Sequence, residues 1–150
     1  MVQNGDEMLI GEYRHSLDPK GRIIIPAKFR DELGDEFVMT KGLDNCLFVY
    51  PKDEWIKIEN KLKDLPMTNK AARSFVRTFF SGAIDQSLDK QGRVLIPQNL
   101  REHSKILKDA IVIGVSTRVE IWSAENWDNY NDDEGLSYEE MAEKMTELGI

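Results

Sequence analysis

Ser16-Leu17-Asp18-Pro19-Lys20-Gly21-Arg22-Ile23-Ile24-Ile25-Pro26 returns, 71 residues further on, as Ser87-Leu88-Asp89-Lys90-Gln91-Gly92-Arg93-Val94-Leu95-Ile96-Pro97. Seven of the eleven positions are identical, and Ile23/Val94 and Ile24/Leu95 keep their apolar type. The match runs on through Phe29/Leu100 and Arg30/Arg101. After a one-residue shift, Val49-Tyr50 aligns with Ile121-Trp122 and Trp55 with Trp127. The chain therefore carries one small unit twice. In each copy Asp opens a turn and Gly ends it, which is the type I signature, with Pro19 well suited to its second position. The apolar, β-branched runs at 22–25 and 93–96 predict short buried strands. Pro26 and Pro97 then suit the first position of a short helix, the first one placing Phe29 and Leu33 on one face and closing at Gly34.

Further strands are predicted at 37–40, 47–50, 111–115 and 119–122. Between the copies, Trp55, Ile58, Leu62 and Leu65 fall at helical spacing, and Pro66 ends that helix. Thr68 is positioned to cap a second helix carrying Ala72, Phe75 and Phe79 and closed by Gly82. In the tail, Ser137 and Glu140 form a capping-box pattern ahead of Met141, Met145 and Leu148, with Gly149 after them. A strand-and-turn unit this small buries little by itself. Two copies in one chain are therefore expected to pair as an intrachain pseudo-dimer, an α+β fold with a mainly β core and helices packed around it. The expected division is 12–54 and 83–126 for the two units, 55–82 for a helical connector and 127–150 for an acidic helical tail. Phe75, Phe79 and Phe80 leave two readings open, core packing or contact with a neighbouring subunit.

The net charge of −7 argues at first against an anionic partner, but its distribution does not. Residues 124–150 hold nine acids against Lys144 alone, whereas residues 8–123 hold 19 basic and 16 acidic side chains. The body is mildly basic and the tail strongly acidic. No apolar run approaches the roughly 18 residues of a membrane span. Residues 1–7 are polar and acidic, unlike a secretory signal, and Met8 offers a second possible start. Cys46, the sole cysteine, allows no internal disulfide and no Cys-cluster metal site, which fits a reducing cytoplasm.

The charged element shared by both copies is Asp-x-x-x-Arg: Asp18 with Arg22, and Asp89 with Arg93. Around the first copy stand Arg14, Lys20, Lys28 and Arg30; around the second, Lys90 and Arg101. The planar guanidinium suits phosphate and the guanine edge alike, and a turn presents it well, so one reading is a nucleic-acid surface. The other is local: Asp caps its own turn and holds its own Arg, the commoner arrangement in Asp-Gly turns. Residue chemistry alone favours the local one. An enzyme using the Asp/Arg pairs on an anionic small molecule has little support, since no nucleophile or base recurs beside them. His15 and His103 are not equivalent in the repeat, so no metal pair is expected, and no cofactor cradle is evident. Cys46 reads as a small core residue. A non-DNA interaction scaffold, antitoxin-like in its use of a partner, is the remaining rival.

Gly11-Glu12-Tyr13-Arg14-His15-Ser16-Leu17-Asp18, with Lys20-Gly21-Arg22 and Ile25-Pro26-Ala27-Lys28-Phe29-Arg30, resembles the first half of the bacterial MraZ proteins. Phe79-Phe80-Ser81-Gly82-Ala83, Leu88-Asp89-Lys90-Gln91-Gly92-Arg93, Val112-Ile113-Gly114-Val115 and Glu120-Ile121-Trp122 resemble the second. The resemblance spans residues 8–148, departing at Pro19, where a small residue is more usual. It implies two SpoVT-AbrB domains forming a tandem, pseudo-symmetric swapped-hairpin β-barrel, assembly into ring-like homo-oligomers, and no enzymatic activity. It also implies a cytoplasmic, nucleoid-associated transcriptional regulator. Such a regulator binds double-stranded DNA at short repeats upstream of its own gene, at the head of the division and cell-wall gene cluster. The family's DNA-contacting arginine falls on Arg22, with Arg93 its second-copy counterpart. Arg14, Lys20 and Lys28 are placed to support it at phosphates, and Asp18, Gly21, Asp89 and Gly92 shape the turns. The first copy is the more basic, because Arg14, Lys20 and Lys28 are matched by Asp85, Gln91 and Asn99.

Overall fold

The computed structural model describes residues 8–133 and 135–149. The acidic N-terminal stretch 1–7 lies outside them. The first copy runs β1 (Leu9–Ser16), β2 (Arg22–Ile24), α1 (Ala27–Leu33), β3 (Glu36–Lys41), β4 (Leu47–Pro51), α2 (Lys52–Lys63) and α3 (Lys70–Ser81). The second gives the same order: β5 (Ile84–Ser87), β6 (Arg93–Leu95), α4 (Gln98–Ser104), β7 (Asp109–Ser116), β8 (Val119–Ser123), α5 (Ala124–Asp133) and α6 (Tyr138–Thr146).

The strands form an α+β fold in which the two copies are interleaved. A six-stranded antiparallel sheet has the order β1-β7-β8-β4-β3-β5, and β2 pairs with β6 as a separate ribbon. The first strand of each copy has left its own hairpin: β1 pairs with β7 and β5 with β3. The order is thus symmetric about the β8–β4 seam, where the copies meet again. Strands are exchanged, but the large sheet does not close; β1 and β5 are its two edges. A complete barrel is therefore not formed by hydrogen bonding, and the ribbon instead covers one face of an open sheet.

Alternation along the strands builds a core on each face. Inward go Phe37, Met39, Leu47, Val49, Val112 and Ile121, meeting Ile23, Ile25, Val94 and Ile96 of the ribbon and Phe29 and Leu100 of α1 and α4. Outward go Phe48, Tyr50, Ile111, Ile113 and Trp122, covered by α2, α3 and α5. Trp55 of α2 stacks on Phe79 at 5.4 Å, and Trp127 of α5 meets Trp122 at 5.1 Å, so the aligned tryptophans do the same work in the two copies. Cys46 is buried in this outer core, where desolvation pushes its thiol pKa up.

Several expectations are corrected. The runs at 22–25 and 93–96 are not buried throughout: Ile23, Ile25, Val94 and Ile96 point in, while Ile24 and Leu95 point out. Pro26 and Pro97 sit at the N-cap, one position before the helices. Asn69, not Thr68, caps α3, accepting the Ala72 N–H at 2.9 Å. Helix α2 starts at Lys52 and ends before Leu65. The edge strands β1 and β5 escape the sequence pattern, because most of their residues are exposed and only a few are apolar. Among the three phenylalanines, Phe79 is buried, Phe80 half-buried against Trp55 and Phe75 exposed.

Candidate nucleic-acid interface

Each Asp builds its own turn. Asp18 Oδ1 accepts the backbone N–H groups of Lys20 and Arg22, both at 2.9 Å, and the Gly21 N–H closes the turn on the Asp18 carbonyl at 2.9 Å. Asp89 repeats this with Gln91 at 2.9 Å, Arg93 at 2.8 Å and Gly92 at 3.0 Å. The glycines adopt φ of +84° and +78°, a region L side chains rarely enter. The turns also lock each other: Ile25 N–H donates to Gly92 O and Ile96 N–H to Gly21 O, both at 2.9 Å. Gly21 leaves room for the Arg101 guanidinium and Gly92 for that of Arg30, so each helix arginine lies over the other copy's turn.

The second carboxylate oxygen holds the arginine. Arg22 Nε donates to Asp18 Oδ2 at 2.7 Å and Arg93 Nε to Asp89 Oδ2 at 2.8 Å. Arg93 Nη1 also lies 3.7 Å from Asp18 Oδ2, so the two carboxylates meet across one guanidinium. The local reading is thus correct as geometry. It does not exhaust the arginines, whose side chains keep 30% and 24% of their surface open. Both carboxyls are held below the usual carboxylate range, chiefly by the backbone N–H of Arg22 or Arg93 and further by its guanidinium, against partial desolvation.

A depressed carboxylate pKa stabilises the fold above the unfolded-state value, about 3.9, and that stabilisation is lost as pH falls through the lower folded value. Asp18→Asn is therefore expected to be less stable than the parent at pH 7, with the difference shrinking below about pH 4. Urea denaturation from pH 7 to pH 3 checks this; a gap that widened on acidification would contradict it.

In the ribbon register, Arg22 faces Leu95 and Ile24 faces Arg93. All four point away from the core, with Ile24 and Leu95 40% and 47% exposed, giving two arginines and two aliphatic side chains in a diagonal pair-by-pair array. Lys20 and Lys90 stand exposed on the adjoining turns, and Lys28 is exposed in the first turn of α1. Arg14 is not brought to this group. Its neighbour Tyr13 packs into the inner core, so Arg14 projects on the opposite, helix-covered face, 3.8 Å from Asp128 of α5. Ile24 and Leu95 were missed as surface residues; their signal was the apolar type retained at matched positions beside a repeated Arg. Among the described residues, no group of three or more His, Cys, Asp or Glu side chains is placed to hold a metal, and no helix is long and apolar enough to cross a membrane.

Comparison with known proteins decides the family. A family model described as "MraZ protein, putative antitoxin-like" matches twice in succession, at residues 8–78 and 79–148. The chain belongs to the MraZ family. It is 66% identical over 143 residues to the transcriptional regulator MraZ of Alkaliphilus oremlandii (strain OhILAs), covering 95% of this chain and all of that protein. Identity is 64% to the MraZ of Thermoanaerobacter pseudethanolicus (strain ATCC 33223 / 39E) and 63% to that of Clostridium tetani (strain Massachusetts / E88), with the same coverage. These MraZ relatives carry the name of a regulator, not of an enzyme. The two family matches meet at 78/79, in the last turn of α3, so each MraZ unit contributes strands to both halves of the sheet.

Proposed function

We propose that this protein is a sequence-specific, DNA-binding transcriptional regulator whose reading surface is the β2–β6 ribbon. The observation that carries this is the outward array of Arg22, Ile24, Arg93 and Leu95 on a two-stranded antiparallel ribbon, a shape the major groove admits. Asp18 and Asp89 hold Nε and so orient each guanidinium, leaving the terminal amino groups of Arg22 for a guanine edge while one of those of Arg93 also faces Asp18. Ile24 and Leu95 suit thymine methyl groups. Lys20, Lys28 and Lys90 neutralise flanking phosphates. Arg22 is the principal reader, because Arg93 is shared between two carboxylates. Arg14, on the other face, drops out of the contact set.

The exchange of strands between copies supports reading the body as two SpoVT-AbrB units in a swapped-hairpin arrangement, over 12–54 and 83–126. One ribbon covers few base pairs, so specific affinity calls for a homo-oligomer meeting several short repeats at once, where linked weak contacts multiply. Head-to-tail packing in a ring presents the same face repeatedly in one direction and suits direct repeats. The sites are the repeats upstream of the protein's own gene, ahead of the division and cell-wall cluster, and the protein works in the cytoplasm at the nucleoid.

The deciding experiment is a mobility shift on the DNA upstream of the gene at two salt concentrations, beside a scrambled fragment. Preference for the upstream fragment with a steep loss in salt is expected. Salt-independent or absent binding, with a stable hetero-complex instead, would favour the antitoxin-like scaffold. Lys28→Ala is expected to weaken binding to both fragments alike and to lower the salt slope by about one; an unchanged slope removes Lys28 from the phosphate contacts.

A further inference from the structure

Helix α6 is locally well specified, yet none of its residues is buried. Ser137 and Glu140 close a full capping box, with Ser137 Oγ accepting the Glu140 N–H at 3.1 Å and Glu140 Oε1 accepting the Ser137 N–H at 2.8 Å. Tyr138, Met141 and Met145 then fall on one stripe, with Leu148 in the turn just past the helix, all exposed. The rest of the helix is acidic, with Glu139, Glu140 and Glu143, and Glu147 at the C-cap, against Lys144. A capped helix with an open apolar stripe is built to dock.

Its chain neighbour offers no seat. Helix α5 displays Glu125, Asp128 and Asp132 and contains no Lys or Arg, so α6 laid against it would bring like charges together. The matching surface is the α2–α3 hairpin. There a cavity of about 170 Å³ is floored by Leu62, Val76 and Phe80, with the exposed Leu65 and Met67 at its lip. Lys63, Arg73 and Arg77 line it as well, giving an apolar groove with a basic rim. Helix and groove complement each other in shape class and in charge. Among the described residues the lining of the groove falls within 62–80, so α6 does not fill the groove of its own chain.

We infer that α6 of one subunit seats in the α2–α3 groove of a second copy. The acids of α6 face Lys63, Arg73 and Arg77, and the Tyr138–Met141–Met145–Leu148 stripe covers Leu62, Val76 and Phe80. Every subunit gives one helix and receives one, so the contact is heterologous and propagates head to tail. The inference rests on the homo-oligomer reading and names its interface. A single helix in a groove is a small contact, well under a standard interface, which favours closure so that no subunit lacks a partner.

The test uses the full chain, in which Cys46 is buried with its thiol pKa pushed up by desolvation. Met145→Cys and Met67→Cys are made separately, mixed in equal amounts and treated with a short bismaleimide. A covalent dimer of one chain of each kind is expected, and a chain carrying both substitutions should give a ladder. Met141→Lys/Met145→Lys should raise the concentration needed for assembly roughly tenfold or more, as loss of a central apolar anchor does, with the melting temperature of the body unchanged. Light scattering on the parent separates the failures. A monomeric parent overturns both the oligomer reading and this interface. An oligomeric parent whose mixed cysteine chains do not cross-link, or cross-link only within one chain, overturns this interface alone.

Discussion

Arg22→Ala is expected to abolish binding to the proposed repeated upstream sites and to leave the melting temperature essentially where it was. The two halves of that result have separate causes. The turn is built by Asp18 through the backbone N–H groups of Lys20 and Arg22 and by the Gly21 N–H, none of which needs the arginine side chain. The ion pair that is lost lies at a part-exposed surface, where such pairs contribute little. On the DNA side, a bidentate arginine–base contact is worth about 1–3 kcal/mol, and the loss recurs at every repeat a multi-subunit assembly engages. Arg22→Lys keeps the charge but not the fork, so it should retain salt-dependent binding while losing preference over a scrambled fragment. Arg93→Ala should be milder on DNA and harder on the ribbon, since Arg93 approaches Asp18 as well as Asp89. A mobility shift with thermal melts on the same samples checks all three; normal specific binding by Arg22→Ala would remove Arg22 as the reader.

The largest effect on stability is expected at Gly114→Ala. Gly114 pairs with Gly11 across the β1–β7 ladder, and β1 crosses it so closely that an added Cβ would lie 2.6 Å from the Leu9 carbonyl oxygen and would also press on the Ile10 backbone nitrogen. Those are backbone atoms, not the tip of a flexible side chain, so relief requires β1 to lift from the sheet edge. Lifting it also draws Leu9 out of the inner core, where it is 1% exposed. Forced overpacking of this kind costs about 1–3 kcal/mol, and the disturbed ladder bonds add to that. Gly34→Ala is a useful contrast, because an added Cβ there meets nothing within 4 Å and only the φ of +79° opposes it. Urea denaturation of the two variants should rank Gly114→Ala as clearly the less stable; equal midpoints would show that β1 adjusts without cost.

What was legible in the sequence was the local chemistry. The Asp–Gly turns, the strands that follow them, the capping box at Ser137 and the burial of Cys46 each depend on a few adjacent residues. The failures are those of long-range arrangement. Leu9–Ser16 and Ile84–Ser87 are edge strands with mostly exposed residues and little apolar alternation, and only the partner strands of the opposite copy make them strands at all. The outward turn of Ile24 and Leu95 followed from which face of the ribbon the core occupies, which a run of four apolar residues does not disclose. Arg14 looked like a member of the basic cluster because it is near Arg22 in sequence. Strand alternation sends it to the opposite face of the sheet, toward Asp128.

The exchanged strand order carries one more consequence. Neither half can complete its own sheet: detached from the other, each would leave a hairpin edge bare and its ribbon strand unpaired. Joining the halves through α2 and α3 makes their meeting a first-order event, so the fold itself is insensitive to dilution. It also fixes one copy of each half per molecule. A self-pairing unit must present identical faces, whereas the joined halves are free to diverge, one keeping Lys20 and Lys28 while the other carries Gln91 and Asn99 in their place. Covalent linkage has in this way released the protein from the symmetry that its architecture still displays.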